Sequence, residues 1–320
     1  MIRRTAPAAL LAAALLTAAG CGSSGTGTSA GAGPTDAAKA PAGEKVQVVA
    51  SFYPLEYAVQ RVGGDHVSVT NLTKPGVEPH DLELTPQDVA KVSSAKLAVY
   101  LKGFQPAVEK AVTEQGAKGA YDVSPAADLE THALEEGHSA DDGHDHGGAD
   151  PHFWLDPQRY SSVAKALAVK LGEIDPAHQA DFEKNAQAFA TDLSALDAEF
   201  STGLKTCTNT TMVTSHAAFG YLAERYGLKQ KAISGLTPDK EPEPARLADI
   251  SAYVKAHKIT TIYTETLVSP AIAQTVARET GASTAVLDPI EGLSDASAGK
   301  DYLGVMRANL ATLTKGQSCR

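Results

Sequence analysis

Residues 150–157 read DPHFWLDP, with the only tryptophan of the chain, Trp154, two places after His152. Prolines at 151 and 157 fix their own φ and push the residue before each away from helix, so the backbone around His152 is held. Immediately upstream, His132 to Asp150 is rich in His, Asp and Gly and has no apolar periodicity. Such a stretch reads as a mobile loop. Taken alone, a histidine such as His152 is more often a core or hydrogen-bonded residue than a ligand, so the case has to come from other residues.

Towards the N-terminus the pattern alternates. Val46 to Phe52 (VQVVASF) is a short apolar run before Pro54, a helical pattern follows from Leu55 to Val62, and Gly63-Gly64 ends it. His66 to Leu72 alternates valine with polar residues. The turn KPGVEPHD then delivers His80 ahead of a helix with Pro86 in its first turn. Strands are expected at 97–101 and 120–123, with a helix at 106–115 between them. This order predicts a parallel sheet flanked by helices, in which ligands gather at the carboxyl ends of the strands.

Towards the C-terminus a helix is expected from Pro157 to Leu171, then a longer one from Pro176 to Leu204. Phe182, Ala186, Phe189, Leu193, Leu196, Phe200 and Leu204 recur at spacings of three and four, a helical period throughout. At about 1.5 Å per residue that helix runs on the order of 40 Å, long enough to join two lobes or to pack as a hairpin partner along one. The alternation then repeats. A strand at 210–214 ends in Ser215-His216 before the helical AAFGYLAERYG, and strands at 230–233, 260–265 (TTIYTE) and 283–287 alternate with helices at 245–257 and 270–280. Asp288-Pro289-Ile290-Glu291 follows the last strand, and a helix at 301–313 leads to Cys319. The expected fold is α/β: two lobes, 45–175 (including a His-rich loop, 132–149) and 205–320, with parallel sheets flanked by helices, joined by one long helix at 176–204.

The ends narrow the setting. Arg3 and Arg4 precede an apolar run from Ala6 to Ala19, too short for the ~20 residues of a membrane span and read as a secretory signal over 1–20. Ala18-Ala19-Gly20-Cys21 resembles a bacterial lipobox, in which Cys21 becomes the lipidated first residue. The Gly-, Ser- and Ala-rich stretch that follows, 21–44, has too little apolar surface to fold and reads as a flexible tether to the membrane. Net charge is −10, which argues against nucleic acid as a partner. Cys207 and Cys319 remain, and an even remainder in an exported chain favours a disulfide.

His80, His152, His216 and Asp288 all fall at expected strand ends or strand-to-helix turns, two per half of the chain. If the lobes face each other they converge, and three imidazoles with one carboxylate make a four-coordinate nitrogen and oxygen site that suits Zn2+. Four protein ligands leave no open position, which favours holding a metal over doing chemistry with it. Glu265 is the rival carboxylate, expected instead to hydrogen-bond a ligand from behind. His138, His144 and His146 in the mobile loop read as a weak zinc collector. No HExxH and no nucleophile elbow is present, so a secreted hydrolase is disfavoured.

PHDLELTPQDV around His80, DPHFWLDP around His152, TSHAAFGYLAERYGL around His216 and LDPIEGL around Asp288 occur in one order that resembles the zinc-specific cluster A-I solute-binding lipoproteins of bacterial ABC importers, the ZnuA/TroA-like family. With the signal and tether, the resemblance covers essentially the whole chain. It implies two α/β lobes joined by one long helix, a metal buried between them on His80, His152, His216 and Asp288, and delivery of zinc to an ABC permease and its ATPase by a lipid-anchored, extracytoplasmic monomer that is not an enzyme. A manganese receptor of the same family, and a surface metal-dependent adhesin or zinc-sequestering protein, remain the alternatives at this point.

Overall fold

The computed structural model describes residues 44–115, 118–130, 149–238 and 241–320. The signal, Cys21, the tether up to residue 43, and His138, His144 and His146 lie outside the described residues. In the first half, β1 (Val46–Ala50), β2 (Val67–Asn71), β3 (Leu97–Tyr100) and β4 (Ala120–Asp122) form one parallel sheet in the order β2-β1-β3-β4. In the second half, β5 (Thr211–Thr214), β6 (Lys229–Ala232), β7 (Thr261–Thr264) and β8 (Ser283–Val286) repeat it in the order β6-β5-β7-β8. In both sheets the chain winds one way and then the other from the first strand. The gap between β1 and β3, and that between β5 and β7, are therefore switch points where loops part and leave a crevice.

Parallel strands need crossover connections, and helices supply them. These are α1 (Tyr53–Gly63), α2 (Pro86–Ser94), α3 (Pro106–Glu114) and a short α4 (Ser124–Ala127) in the first half. Then come α5 (Pro157–Ile174) and α6 (Gln179–Gly203), followed by α7 (Gly220–Arg225), α8 (Pro244–Ala256), α9 (Ala271–Thr280) and α10 (Tyr302–Gly316). Proline stands in the first turn of α1, α2, α3, α4, α5 and α8, where its missing N–H costs nothing. Thr85 and Asp88 close a reciprocal capping box at the start of α2, and Asp156 caps α5 through the Gln158 N–H at 2.8 Å.

The long helix behaves as its periodicity predicts: Phe182, Ala186, Phe189, Leu193, Leu196 and Phe200 are all buried. It begins at Gln179, because Pro176–His178 form a separate 3-10 turn. It pairs with α5 and also packs on α1 from the first half and α10 from the second, so linking helix and hairpin partner describe the same element. One apolar core runs through both halves along it, with Tyr57, Tyr160, Phe189 and Tyr302 in mutual ring contact. Cys207 and Cys319 form a disulfide that closes the C-terminal tail onto the segment entering β5. Among the described residues no helix is long and apolar enough to cross a membrane.

Candidate metal centre

His152 stands in the 3-10 turn region opened by Pro151, fully buried. Asp150 Oδ1 accepts from both the His152 backbone N–H (2.9 Å) and its Nδ1 (2.7 Å). With Nδ1 carrying the proton, the lone pair of Nε2 is turned away from Asp150. The next residue but one, Trp154, donates its indole N–H to the Pro289 carbonyl at 2.7 Å, tying this segment to the turn after β8.

The second half uses the same device. His216 follows β5, and Glu265, just after β7, accepts its backbone N–H on Oε1 (3.1 Å) and its Nδ1 on Oε2 (2.8 Å). The two strands flank the switch point, which is why residues far apart in sequence meet there. Glu265 thus hydrogen-bonds His216 through both carboxylate oxygens. The helix expected directly after His216 starts only at Gly220. The intervening backbone is engaged elsewhere: Thr214 Oγ1 (2.7 Å) and Gln230 Nε2 (3.0 Å) donate to the His216 carbonyl, and the Ala217 N–H goes to Gly235.

His80 lies in the loop between β2 and α2. Glu78 accepts its backbone N–H at 3.1 Å and that of Asp81 at 3.3 Å, while Gln105 donates to the Pro79 carbonyl at 3.2 Å. The ring packs edge-on against Phe104 at 4.5 Å between centroids. Its Nε2 is buried and makes no hydrogen bond.

The carboxylate that joins these histidines is Glu291, not Asp288. Glu291 Oε1 lies 3.4 Å from His80 Nε2, 3.1 Å from His152 Nε2 and 3.2 Å from His216 Nε2, and the last two nitrogens are 3.4 Å apart. One ligand atom from each of the four residues falls within 4.8 Å of all the others, and among the described residues this is the one such group. Asp288 is buried but faces elsewhere, with Oδ1 accepting the Ile290 N–H (2.8 Å) and Oδ2 accepting from Ser297 Oγ (3.1 Å). The sequence signal that separates the two is Asp-Pro itself: an aspartate opening a turn engages its own backbone two residues on, and the free acid is then the one at the far end of the turn.

The electrostatics follow from these distances. Burial opposes charge on Glu291, but His80, His152 and His216 around it hold its carboxyl well below the usual range. Burial likewise opposes charge on His152 and His216, yet Asp150 with Glu291, and Glu265 with Glu291, outweigh it and push both imidazoles up, His216 the further. His80 goes the other way, because burial outweighs its attraction to Glu291.

The zinc-uptake complex component A (periplasmic) family model matches residues 48–316. The chain belongs to that family. That family is one of solute-binding receptors. The chain is 39% identical over 280 residues to the zinc-binding lipoprotein AdcA of Streptococcus pneumoniae, covering 84% of this chain and 55% of AdcA, so it spans about half the length of that relative. It is 36% identical over 312 residues to the high-affinity zinc uptake system protein ZnuA of Bacillus subtilis, covering 95% of each. Among solved structures, the Zn(II)-bound ZnuA-like domain of S. pneumoniae AdcA superposes with a TM-score of 0.70 at 37% identity, covering 85% of this chain and 99% of that one. The laminin-binding protein Lmb of Streptococcus agalactiae, described as bifunctional with adhesin and metal transporting activity, superposes at 0.75 with 33% identity, again over 85% and 99%.

Proposed function

We propose that this chain is a receptor that captures Zn2+ outside the cytoplasm and delivers it to an ABC permease and its ATPase. The observation that carries the reading is the spacing of the four donor atoms. A tetrahedral ion with arms of about 2.0–2.1 Å sets its ligands about 3.3–3.4 Å apart. Four of the pairs in the cluster measure 3.1, 3.2, 3.4 and 3.4 Å. The donor chemistry agrees, since three imidazoles and one carboxylate suit zinc, whereas manganese prefers more oxygen and a higher coordination number. The buried, hydrogen-bond-free Nε2 of His80 is the atom a cation would satisfy.

In this reading His80, His152, His216 and Glu291 hold the ion, and Asp150 and Glu265 fix the tautomer of two of them. None of the four is more than 6% exposed, so the ion enters and leaves only when the cluster opens. The lobes are 45–175 and 205–320, linked through α6, and the mature monomer is anchored by lipid on Cys21 with residues 22–44 as tether. His138, His144 and His146 collect zinc weakly and add to the supply. The names of the relatives support the metal. The test is metal content and stoichiometry of the purified chain, then competition titration: one tight zinc per chain, unaffected by removing residues 132–148, is expected. A chain that binds manganese as tightly as zinc, or loses its tight site with that loop, refutes the reading.

A further inference from the structure

Ile290 adopts φ +59° while fully buried. This is the left-handed region, where a β-branched side chain crowds its own backbone and is rarely found unless its surroundings impose it. It immediately precedes Glu291, the carboxylate that completes the cluster. The surroundings that impose it can be named. The Leu287 N–H goes to Thr264 as the last rung of the sheet. The Asp288 N–H and carbonyl form a two-bond ring with the Asn309 side chain of α10, at 2.9 and 2.7 Å. Pro289 has no N–H, and its carbonyl accepts from Trp154. The Ile290 N–H goes back to Asp288 Oδ1, and Ser297 donates to Oδ2 of the same carboxylate.

Only one of these clamps acts on Ile290 itself, and it is the Asp288 carboxylate. Without that acceptor, the Ile290 N–H would be buried and unpaired in a conformation the residue already disfavours. The chain would relax towards ordinary backbone angles. A rotation at Ile290 swings the next residue, so Glu291 Oε1 would leave the three Nε2 atoms it now faces at 3.1–3.4 Å.

We propose that Asp288 is a positioning residue for the metal centre: its carboxylate, braced by Ser297, locks Ile290 in the left-handed conformation and thereby holds Glu291 among His80, His152 and His216. This rests on the zinc-receptor reading and adds a determinant of affinity that touches no ion. Losing an outer partner of a ligand typically costs about 10- to 100-fold in metal affinity, and Asp288→Ala is expected in that range. Asp288→Asn keeps an Oδ1 that accepts the Ile290 N–H, so it is expected to restore most of the loss.

The decisive comparison is a double-mutant cycle on the full chain, with zinc affinity of the tight site read by chelator competition. If Asp288 acts through Glu291, then Asp288→Ala placed on Glu291→Gln should weaken zinc far less than it does on the wild type. An equal loss in both backgrounds makes Asp288 merely structural and overturns the proposal, as does an Asp288→Asn variant no better than Asp288→Ala. Should Asp288→Ala not fold, Ser297→Ala takes its place in the same cycle. Removing the brace on Oδ2 should weaken zinc several-fold in the wild type and not in Glu291→Gln, and no effect in the wild type overturns the proposal. A wild type without a tight zinc site would sink the zinc-receptor reading itself. Tight wild-type binding that is lost in Glu291→Gln but indifferent to Asp288→Ala sinks only the inference drawn here.

Discussion

Replacing Cys207 and Cys319 together by serine should cost global stability but not zinc affinity. The bridge spans a sequence separation of 112, and closing a loop of that length removes about 5 kcal/mol of conformational freedom from the unfolded chain in the entropy model. Spread over the unfolding entropy of a folded part of roughly 275 residues, that lowers Tm by about 8 °C. The native tail does not depend on the bridge alone. Gln317 accepts from the Tyr263 hydroxyl (2.9 Å) and donates to the Asn209 and Thr211 carbonyls (3.1 and 2.9 Å), and the Asn209 N–H returns to the Gln317 carbonyl at 3.0 Å. Any side chain at Gly316 would collide with Tyr263, so α10 sits flush against β7. These contacts survive in the reduced native state, whereas the bridge acts on the unfolded ensemble. Zinc affinity should hold, because Asn309, the α10 residue that supports the turn before Glu291, lies two turns before the tail. The assay is urea unfolding of wild type and double serine variant with chelator present, followed by zinc titration of both. Unchanged midpoints together with two reactive thiols in the untreated chain would refute the bridge. A tenfold fall in zinc affinity would refute the separation of tail from site.

Three further outcomes are expected. Glu265→Ala and Asp150→Ala should each weaken zinc by about 10- to 100-fold while leaving one ion per chain; isothermal titration checks it, and unchanged affinity in both would remove the orienting role. Because His152 and His216 hold their protons above the ordinary range near ~6.5, and imidazole must be neutral to bind metal, zinc should release protons on binding and weaken as pH falls, beginning above that ordinary range. Titration in buffers of different ionisation enthalpy reads this, and a flat affinity down to about pH 6 would contradict it. In the metal-free chain the same raised values give stability that is present at low pH and lost as pH rises through them. Finally, His216→Glu should narrow the preference for zinc over manganese by exchanging nitrogen for oxygen, and a competition titration showing no change in either metal would take His216 out of the site.

Much of the fold is legible in the sequence, for reasons that differ by element. The central strands β1 and β3 are legible as short, mostly apolar runs because a strand inside a parallel sheet is buried on both faces, whereas the edge strand β2 shows as an alternation of valine with polar residues. α6 was visible because every third or fourth residue had to be apolar. His80, His152 and His216 were placed by the rule that functional side chains collect where strands end, and Glu265 by the expectation that a ligating imidazole has a carboxylate behind it. Strand-end position alone does not separate Asp288 from Glu291, since both follow β8, three residues apart. The turn opened by Asp288-Pro289 does, because it engages the aspartate with the Ile290 N–H and sets Ile290 at a φ that isoleucine would not adopt unaided. The short α4 was missed because four residues, SPAA, are too few to show a period.

The division of the cluster between the halves has a consequence for how an ion would be exchanged. Each half supplies two donors, so neither alone offers a tetrahedral set, but the ties holding those donors across the halves are uneven. The His152 segment is bound to the second half through Trp154 and Pro289, through the Tyr302 hydroxyl on the Trp154 carbonyl (2.6 Å), and through the Tyr221 hydroxyl on the Asp150 carbonyl (2.8 Å). Arg159 stacks on Tyr221 and pairs with Glu130, adding to the same junction. The loop carrying His80 is anchored mainly within its own half, by Glu78, Gln105 and Thr73, and reaches across through the Gly76 N–H on the Leu293 carbonyl at 2.8 Å. His152, His216 and Glu291 therefore share one cross-linked body. His80 is the donor whose withdrawal disturbs the fewest of the bonds described here, and withdrawing it turns a closed four-ligand cage into a three-ligand site open on one side.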